Sequence, residues 1–260
     1  GRSRLIMLSI SVIAAFPELV ENALKYGVTG RARELGLWRW QGFPLHDFAT
    51  DTRKSIDARP AAGGPGMVLM PAPLDAALAA ARAWHGERST VVFMSPDGAT
   101  LSQSRSRELA KCNHLTFVAG RYEGIDQRWI DENVDAIVSI GDYVLSGGEL
   151  PAAVVIDSCV RLIPGALGDD ESATFESFSD GRLDWPQYAV AATASGENIP
   201  AELARGDHAE IDQWRRREAL LRTWKRRPDL LLNANLTLEE QAMIQSAAEF
   251  DKPAQNELKS

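Results

Sequence analysis

Up to about residue 165 the chain alternates short apolar runs of strand character with segments of helical pattern, and this constrains its fold more than any other feature. Leu5 to Phe16 (LIMLSISVIAAF) carries Ile6, Ile10, Val12 and Ile13, ends at Phe16-Pro17-Glu18, and reads as a buried first strand. Pro17 to Tyr26 and Ser104 to Lys111 read as helices; Val91 to Met94, Leu115 to Ala119 and Ala136 to Ile140 read as strands. Strands alternating with helices predict an α/β fold with a mostly parallel sheet. Leu150 to Ile163 (LPAAVVIDSCVRLI) is a further predicted helix, with Pro151 in its first turn, Pro164-Gly165 as its stop, and Val154, Asp157 and Arg161 on one face.

The composition then changes. Gly168 to Leu183 (GDDESATFESFSDGRL) has no sustained period and reads as a linker or loop. The expected organisation is an α/β domain over 1–167, an interdomain linker over 168–183 and a small helical domain over 184–260. In that last domain Ala209 to Arg227 is stopped by Pro228, and Thr237 to Phe250 opens on the capping-box pattern Thr237-Leu238-Glu239-Glu240.

Several function classes fall away. At 260 residues, 45% hydrophobic and 25% charged, the chain has the make-up of a globular protein with a real core. Its net charge of −8 argues against binding nucleic acid through overall charge. A local basic stripe remains: Trp214 to Arg227 holds seven basic residues and one acidic, and helical spacing puts Arg215, Arg222 and Arg226 on one face, as a phosphate backbone requires. The alternative for the same stripe is a solvated face with Trp214 and Leu221 packed inward. Cys112 and Cys159 have no metal-ligand spacing, which predicts neither a disulfide framework nor zinc and fits a reducing, cytoplasmic setting. Leu5 to Phe16 is too short to span a bilayer, so no membrane partner is expected. Neither a P-loop nor a dinucleotide fingerprint occurs, nor G-x-S-x-G nor H-E-x-x-H, and His46, His85, His114 and His208 are scattered.

What remains is glycine at strand ends. Three predicted strands run straight into polar, glycine-bearing loops: Met94-Ser95-Pro96-Asp97-Gly98, Gly120-Arg121-Tyr122-Glu123-Gly124, and Gly141-Asp142-Tyr143-Val144-Leu145-Ser146-Gly147-Gly148. Ligands of open α/β sheets bind beyond the carboxyl ends of the strands, where glycine lets backbone approach them. Any one of these loops could be only a turn; three together outline a pocket.

The stretches GRYEGID (Gly120 to Asp126), SIGDYVLSGGELPA (Ser139 to Ala152) and YGVTGRA (Tyr26 to Ala32) resemble the bacterial tRNA (guanine-37-N1)-methyltransferases, the TrmD family of the SPOUT superfamily. GGPGM (Gly63 to Met67), RLIPGALG (Arg161 to Gly168), ESFSDGRLD (Glu176 to Asp184), HAEI (His208 to Ile211) and RTWKRRPDLL (Arg222 to Leu231) extend the resemblance through nearly the whole chain. It implies a SPOUT-type α/β domain with a deep trefoil knot, a helical C-terminal domain that grips tRNA, a homodimer with active sites at the subunit interface, and methylation of guanine 37 at N1 from S-adenosylmethionine. By position, the cofactor residues are Met94, Ser95, Pro96, Gly98, Gly120, Tyr122, Glu123, Ile140, Gly141, Tyr143, Leu145, Gly147, Gly148 and Pro151. Gly66, Ser172, Asp184, His208, Arg215, Arg222 and Arg226 are the expected substrate contacts.

Attack by guanine N1 requires a base to remove its proton and a donor to steady the charge that builds on O6. The resemblance gives the donor role to Arg161 and the base role to Glu176. From the residues alone, Arg161 is equally an ion-pair partner for Asp157 one turn earlier. The family also uses Mg²⁺, for which Glu123, Asp169, Asp170, Glu171, Asp180 and Asp184 are candidates without forming a dedicated cage.

The chain departs from the family pattern in places. Glu176 stands where the family has Asp, Ala61-Ala62 replace Tyr-Gly in R-P-Y-G-G-G-P-G-M, Trp185 to Ala191 lack the C-P-H-Y-T-R-P pattern, and Asp207 replaces the Asn of S-G-N-H. These departures keep two alternatives open: a diverged SPOUT paralogue that methylates another RNA or a small molecule, and a catalytically weak protein that only binds.

Overall fold

The computed structural model describes residues 7–168, 176–189, 199–232 and 234–250. The chain divides into two compact units, residues 1–170 and 171–260. In the first unit the order is β1 (Leu8–Ala14), α1 (Glu18–Leu24), α2 (Gly27–Glu34), β2 (Trp38–Pro44), β3 (Asp57–Ala58), β4 (Val68–Leu69), α3 (Pro71–His85), β5 (Thr90–Thr100), α4 (Gln103–Ala110), β6 (His114–Ala119), α5 (Gln127–Asn133), β7 (Ala136–Ser139) and α6 (Glu149–Val160). Five strands form a sheet in the order β2-β1-β6-β5-β7, every pairing parallel, while β3 and β4 make a separate antiparallel ladder.

β1 is buried along its whole length, which is why its apolar run is continuous rather than alternating. Its side chains still divide by parity. Leu8, Ile10, Val12 and Ala14 join one core layer with α1 and α6, whereas Ile13 joins the opposite layer with Leu74, Ala77, Leu78 and Ala81 of α3. The two layers cover both faces of the sheet and leave its strand ends to carry the loops.

The ends of the elements follow local chemistry. α3 starts on Pro71 and stops at Gly86, whose φ of +81° closes the helix in the left-handed region. α6 begins at Glu149, so Pro151 lies in its first turn, and it ends at Val160 with Arg161 as C-cap, short of the expected Ile163. The segment Met94 to Gly98 is not a loop outside the sheet, as its composition predicts; it belongs to β5. Met94 and Ala99 both pair with Val138, so the intervening residues bulge out while the strand resumes its ladder. Gly98 permits this, because a Cβ there would lie 2.5 Å from the Val138 nitrogen.

The second unit holds α7 (Ala201–Arg205), α8 (His208–Arg226) and α9 (Leu238–Phe250). α8 opens on Asp207, whose carboxylate accepts from the amides of Ala209 and Glu210. Asn and Asp serve equally as N-caps, so the Asp207 departure is neutral for the helix. The expected capping box is present: the Glu240 amide donates to the Thr237 hydroxyl at 3.2 Å, and the Thr237 amide to the Glu240 carboxylate at 2.9 Å. Part of the expected linker belongs to this unit. Arg182 pairs with Glu240 at 2.7 Å and the Leu183 amide donates to the Thr223 hydroxyl at 2.9 Å, tying those residues to α9 and α8. Among the described residues no helix is long and apolar enough to cross a membrane.

Candidate active site

The bulge of β5 and the carboxyl ends of β6 and β7 in the first unit surround a cleft of about 260 Å³. Met94, Ser95 and Pro96 form one wall, Gly120 to Gly124 a second, and Ile140, Gly141, Tyr143 to Gly148 and Pro151 a third, above Phe93 and Val138. All of the expected cofactor residues line this cleft except Gly98, which lies against the backbone of β7 instead.

Glycine sets the shape. The Gly148 amide donates to the Gly120 carbonyl at 2.8 Å, and a Cβ on Gly148 would lie 2.8 Å from the Ala119 Cα. Only a residue without a side chain lets the loop after β7 press onto the end of β6. Tyr122 takes a φ of +59°, an uncommon state for a residue with a side chain, and is exposed at the cleft. Gly66 lies against the same loop: the Glu123 amide donates to the Met67 carbonyl at 2.9 Å, and a Cβ on Gly66 would lie 2.3 Å from a Glu123 carboxylate oxygen. The structure therefore seats Gly66 on a cleft residue, and Ala61 and Ala62 of the same loop are exposed.

Among the described lining residues Arg121 is the one cation and Glu123 the one carboxylate. Arg121, Gly124, Val144 and Ser146 belong to the glycine-bearing loops that outline the pocket, although the resemblance does not name them as cofactor residues, and Phe93, Val138 and Ser139 join them from the strands. The Arg121 Nε donates to Glu149 at 2.8 Å and its guanidinium carbon stands 4.7 Å from the centre of the Phe16 ring.

Arg161 caps α6, its amide donating to the Asp157 carbonyl at 3.1 Å. Partial burial pushes the Asp157 carboxyl above the usual carboxylate range, and the charge of Arg161 works against that rise. Leu150 and Val154, on the same side of α6, are exposed.

In the second unit Glu176 opens a turn in which the Ser179 amide donates to its carbonyl, followed by Phe178 at φ +70°. Asp184 spends its carboxylate locally, accepting from the Trp185 amide at 2.7 Å and the Gln187 side chain at 3.3 Å. His208 is the exposed first residue of α8. Arg215 stands 4.9 Å over the Trp185 ring, Arg222 is half-buried and Arg226 exposed. Trp214 is buried against Tyr188, as the packing alternative for the stripe expects of that residue. Ser172, Asp169, Asp170 and Glu171 lie outside the described residues. No three acidic, histidine or cysteine side chains come together as metal ligands among the described residues, which do not by themselves make a cage for Mg²⁺.

Comparison with known proteins agrees with this arrangement of motifs. The family described as tRNA (Guanine-1)-methyltransferase TrmD matches residues 8–233. A protein of Enterobacter sp. (strain 638) named tRNA (guanine-N(1)-)-methyltransferase is 50% identical over 243 residues, 94% of this chain and 94% of its own length. Proteins of the same name from Halorhodospira halophila and Salmonella newport are 46% and 48% identical, covering 90% and 93% of this chain and 89% and 93% of their own. On a family match that takes in the cleft and α8, and on relatives at about half identity over nearly their full length, the chain belongs to the TrmD family of tRNA (guanine-1)-methyltransferases.

Proposed function

We propose that the protein moves a methyl group from S-adenosylmethionine to N1 of guanine 37 in tRNA, next to the anticodon, and that the cleft between the β5 bulge and the ends of β6 and β7 holds the cofactor. The observation that carries this reading is the coincidence, in one cleft, of the β5 bulge and the glycine-bearing ends of β6 and β7 with the family's motifs. The residues fit such a ligand: Ile140, Leu145 and Pro151 offer apolar surface to an adenine ring, close-packed glycine loops offer backbone groups, and Arg121 and Glu123 offer opposite charges to an amino-acid tail. Bound there, S-adenosylmethionine supplies an electrophilic methyl on its sulfonium.

The chain supplies the rest. Glu176 takes the proton from guanine N1, and Arg161 faces the negative charge that grows on O6. Arg215, Arg222 and Arg226 of α8 meet tRNA phosphates, with Gly66, Ser172, Asp184 and His208 as further substrate contacts. The loop after β7 belongs to a deep trefoil knot, consistent with the Gly148 amide bonded to the end of β6. Two copies form the working unit through the exposed apolar side of α6, and the protein acts in the cytoplasm, where its tRNA substrate is.

The test is methyl transfer from labelled S-adenosylmethionine to unmodified tRNA carrying guanine at position 37, beside the same tRNA with that base changed. Transfer that depends on the guanine is the expected result, and transfer to neither would defeat the reading. Glu176→Gln and Arg161→Ala should each lower turnover by at least about a hundredfold with cofactor affinity nearly unchanged, as expected for groups that act in the transition state.

A further inference from the structure

Beside the cleft lies a charge pair of which the reading above uses only Arg121 and leaves Glu149 without a task. Glu149, the first residue of α6, is 1% exposed by side chain, and one carboxylate oxygen accepts from the Arg121 Nε at 2.8 Å. Its other oxygen is buried with no hydrogen-bond partner. An ion pair this deep returns little stability for the desolvation it costs, so its retention points to orientation as its role.

Arg121 is what Glu149 orients. One face of the guanidinium lies 4.7 Å from the Phe16 ring centre, and a Cβ on Gly147 would stand 3.1 Å from its central carbon, so the group is held between an aromatic ring and the glycine loop of the cleft. Nε is committed to Glu149, whereas the two terminal nitrogens have no hydrogen-bond partner among the described residues and the side chain keeps 20% exposure. A guanidinium fixed on its Nε edge, on a residue that lines the cleft, keeps its terminal edge for an oxyanion.

Resting on the reading of the cleft as the cofactor site, we propose that Glu149 is a positioning residue that holds Arg121 as the receptor for the carboxylate of the cofactor's amino-acid tail. Charge complementarity favours this occupant. S-adenosylmethionine carries one carboxylate, and Arg121 is the one cation among the described lining residues.

Two product-like ligands separate this role from a merely structural one. S-adenosylhomocysteine keeps the amino-acid tail, and methylthioadenosine lacks it. In Glu149→Gln and Arg121→Lys, S-adenosylhomocysteine affinity measured by calorimetry should fall about tenfold or more, the scale of one charge-assisted hydrogen bond, with methylthioadenosine affinity within about twofold of wild type. Equal loss for both ligands would mean that the pair only shapes the wall, and would overturn the assignment. So would unchanged S-adenosylhomocysteine affinity together with weakened tRNA binding, which would transfer the guanidinium to an RNA phosphate. A wild-type protein that bound neither ligand would defeat the cofactor reading itself, a result distinct from either.

Discussion

Gly66 has a φ of +83°, and a Cβ there would meet the Oε1, Cγ and Cδ of Glu123 at 2.3, 2.4 and 2.7 Å. Two costs therefore attach to Gly66→Ala. The left-handed backbone alone costs about 1–2 kcal/mol for a residue with a side chain, and Glu123 must swing away from its place in the cleft. The backbone part should appear as a modest drop in melting temperature. The carboxylate part should appear as a loss of cofactor affinity that shrinks when Glu123→Ala is already present, since two residues in contact are not additive. Full additivity in that double-mutant cycle would show that Gly66 acts apart from Glu123, as a direct contact to substrate. Glu176 is a different case at the same scale. As the proposed base, Glu176 carries one methylene more than an aspartate would, a difference that displaces a carboxylate by about 1 Å and is worth roughly 10²-fold in rate where geometry is limiting.

Between β1, β6 and α3 the sheet carries a buried polar chain on the same face as Ile13 and the apolar side of α3. His85, at the end of α3 and 6% exposed, sits 3.1 Å from the Ser9 hydroxyl through Nδ1 and 3.0 Å from that of Ser11 through Nε2. Ser11 donates onward to Thr116 at 2.8 Å, and Arg39 donates to Ser9 at 2.8 Å. A neutral imidazole has one donor and one acceptor nitrogen and satisfies both serines. Burial first, then His114 with its ring 5.1 Å away, then Arg39, push the His85 ring down from 6.5 to about 4. The folded value lies below the unfolded one, so between those pH values the unfolded chain holds the extra proton. The stabilisation is whole above pH 6.5 and is lost as pH falls toward 4. The loss reaches about 3 kcal/mol at its limit, at 1.36 kcal/mol per unit. Urea unfolding of wild type from pH 7 to 4 should show this decline, and His85→Gln should flatten it; an unchanged slope would mean the ring does not titrate as its surroundings require.

Legibility followed the same physics. β1 could be read because burial on both faces leaves a continuous β-branched run, and α9 because its capping box is local. The order β2-β1-β6-β5-β7 could not, because a strand's composition reports that it is buried and not beside which neighbour. α3 escaped because its alanine-rich sequence has little contrast between faces, although Pro71 and Gly86 mark both ends. In β5, Pro96 and Gly98 signal a loop, but the pairing of Ala99 and Thr100 with β7 restores the strand. Most of the cleft was legible as glycine at strand ends. Arg121 was legible as a member of the second loop but its orientation was not, since the residue that orients it lies 28 positions further along the chain.

At the scale of the whole molecule, α6 joins the cleft to a surface that the first unit leaves uncovered. Ala152, Ala153, Val155, Ile156, Cys159 and Val160 face the core, while Leu150 and Val154 are 54% and 47% exposed, with Asp157 and Arg161 continuing the same side. Val144 and Leu145 of the cleft's own loop are exposed as well. Apolar side chains beside a polar, functional rim are what an interface between copies of one chain requires, and a two-fold arrangement would use the same patch on both. Under such symmetry each substitution counts twice. Val154→Glu would place two carboxylates in the apolar centre of the contact, at a cost of several kcal/mol that a single exposed position would not incur. Sedimentation should find wild type as a dimer and the variant as a monomer, with circular dichroism unchanged because Val154 takes no part in the core of its own chain. Methyl transfer should fall with dimerisation if active sites lie at the subunit interface. A Val154→Glu protein that remained dimeric and active would move the interface away from α6.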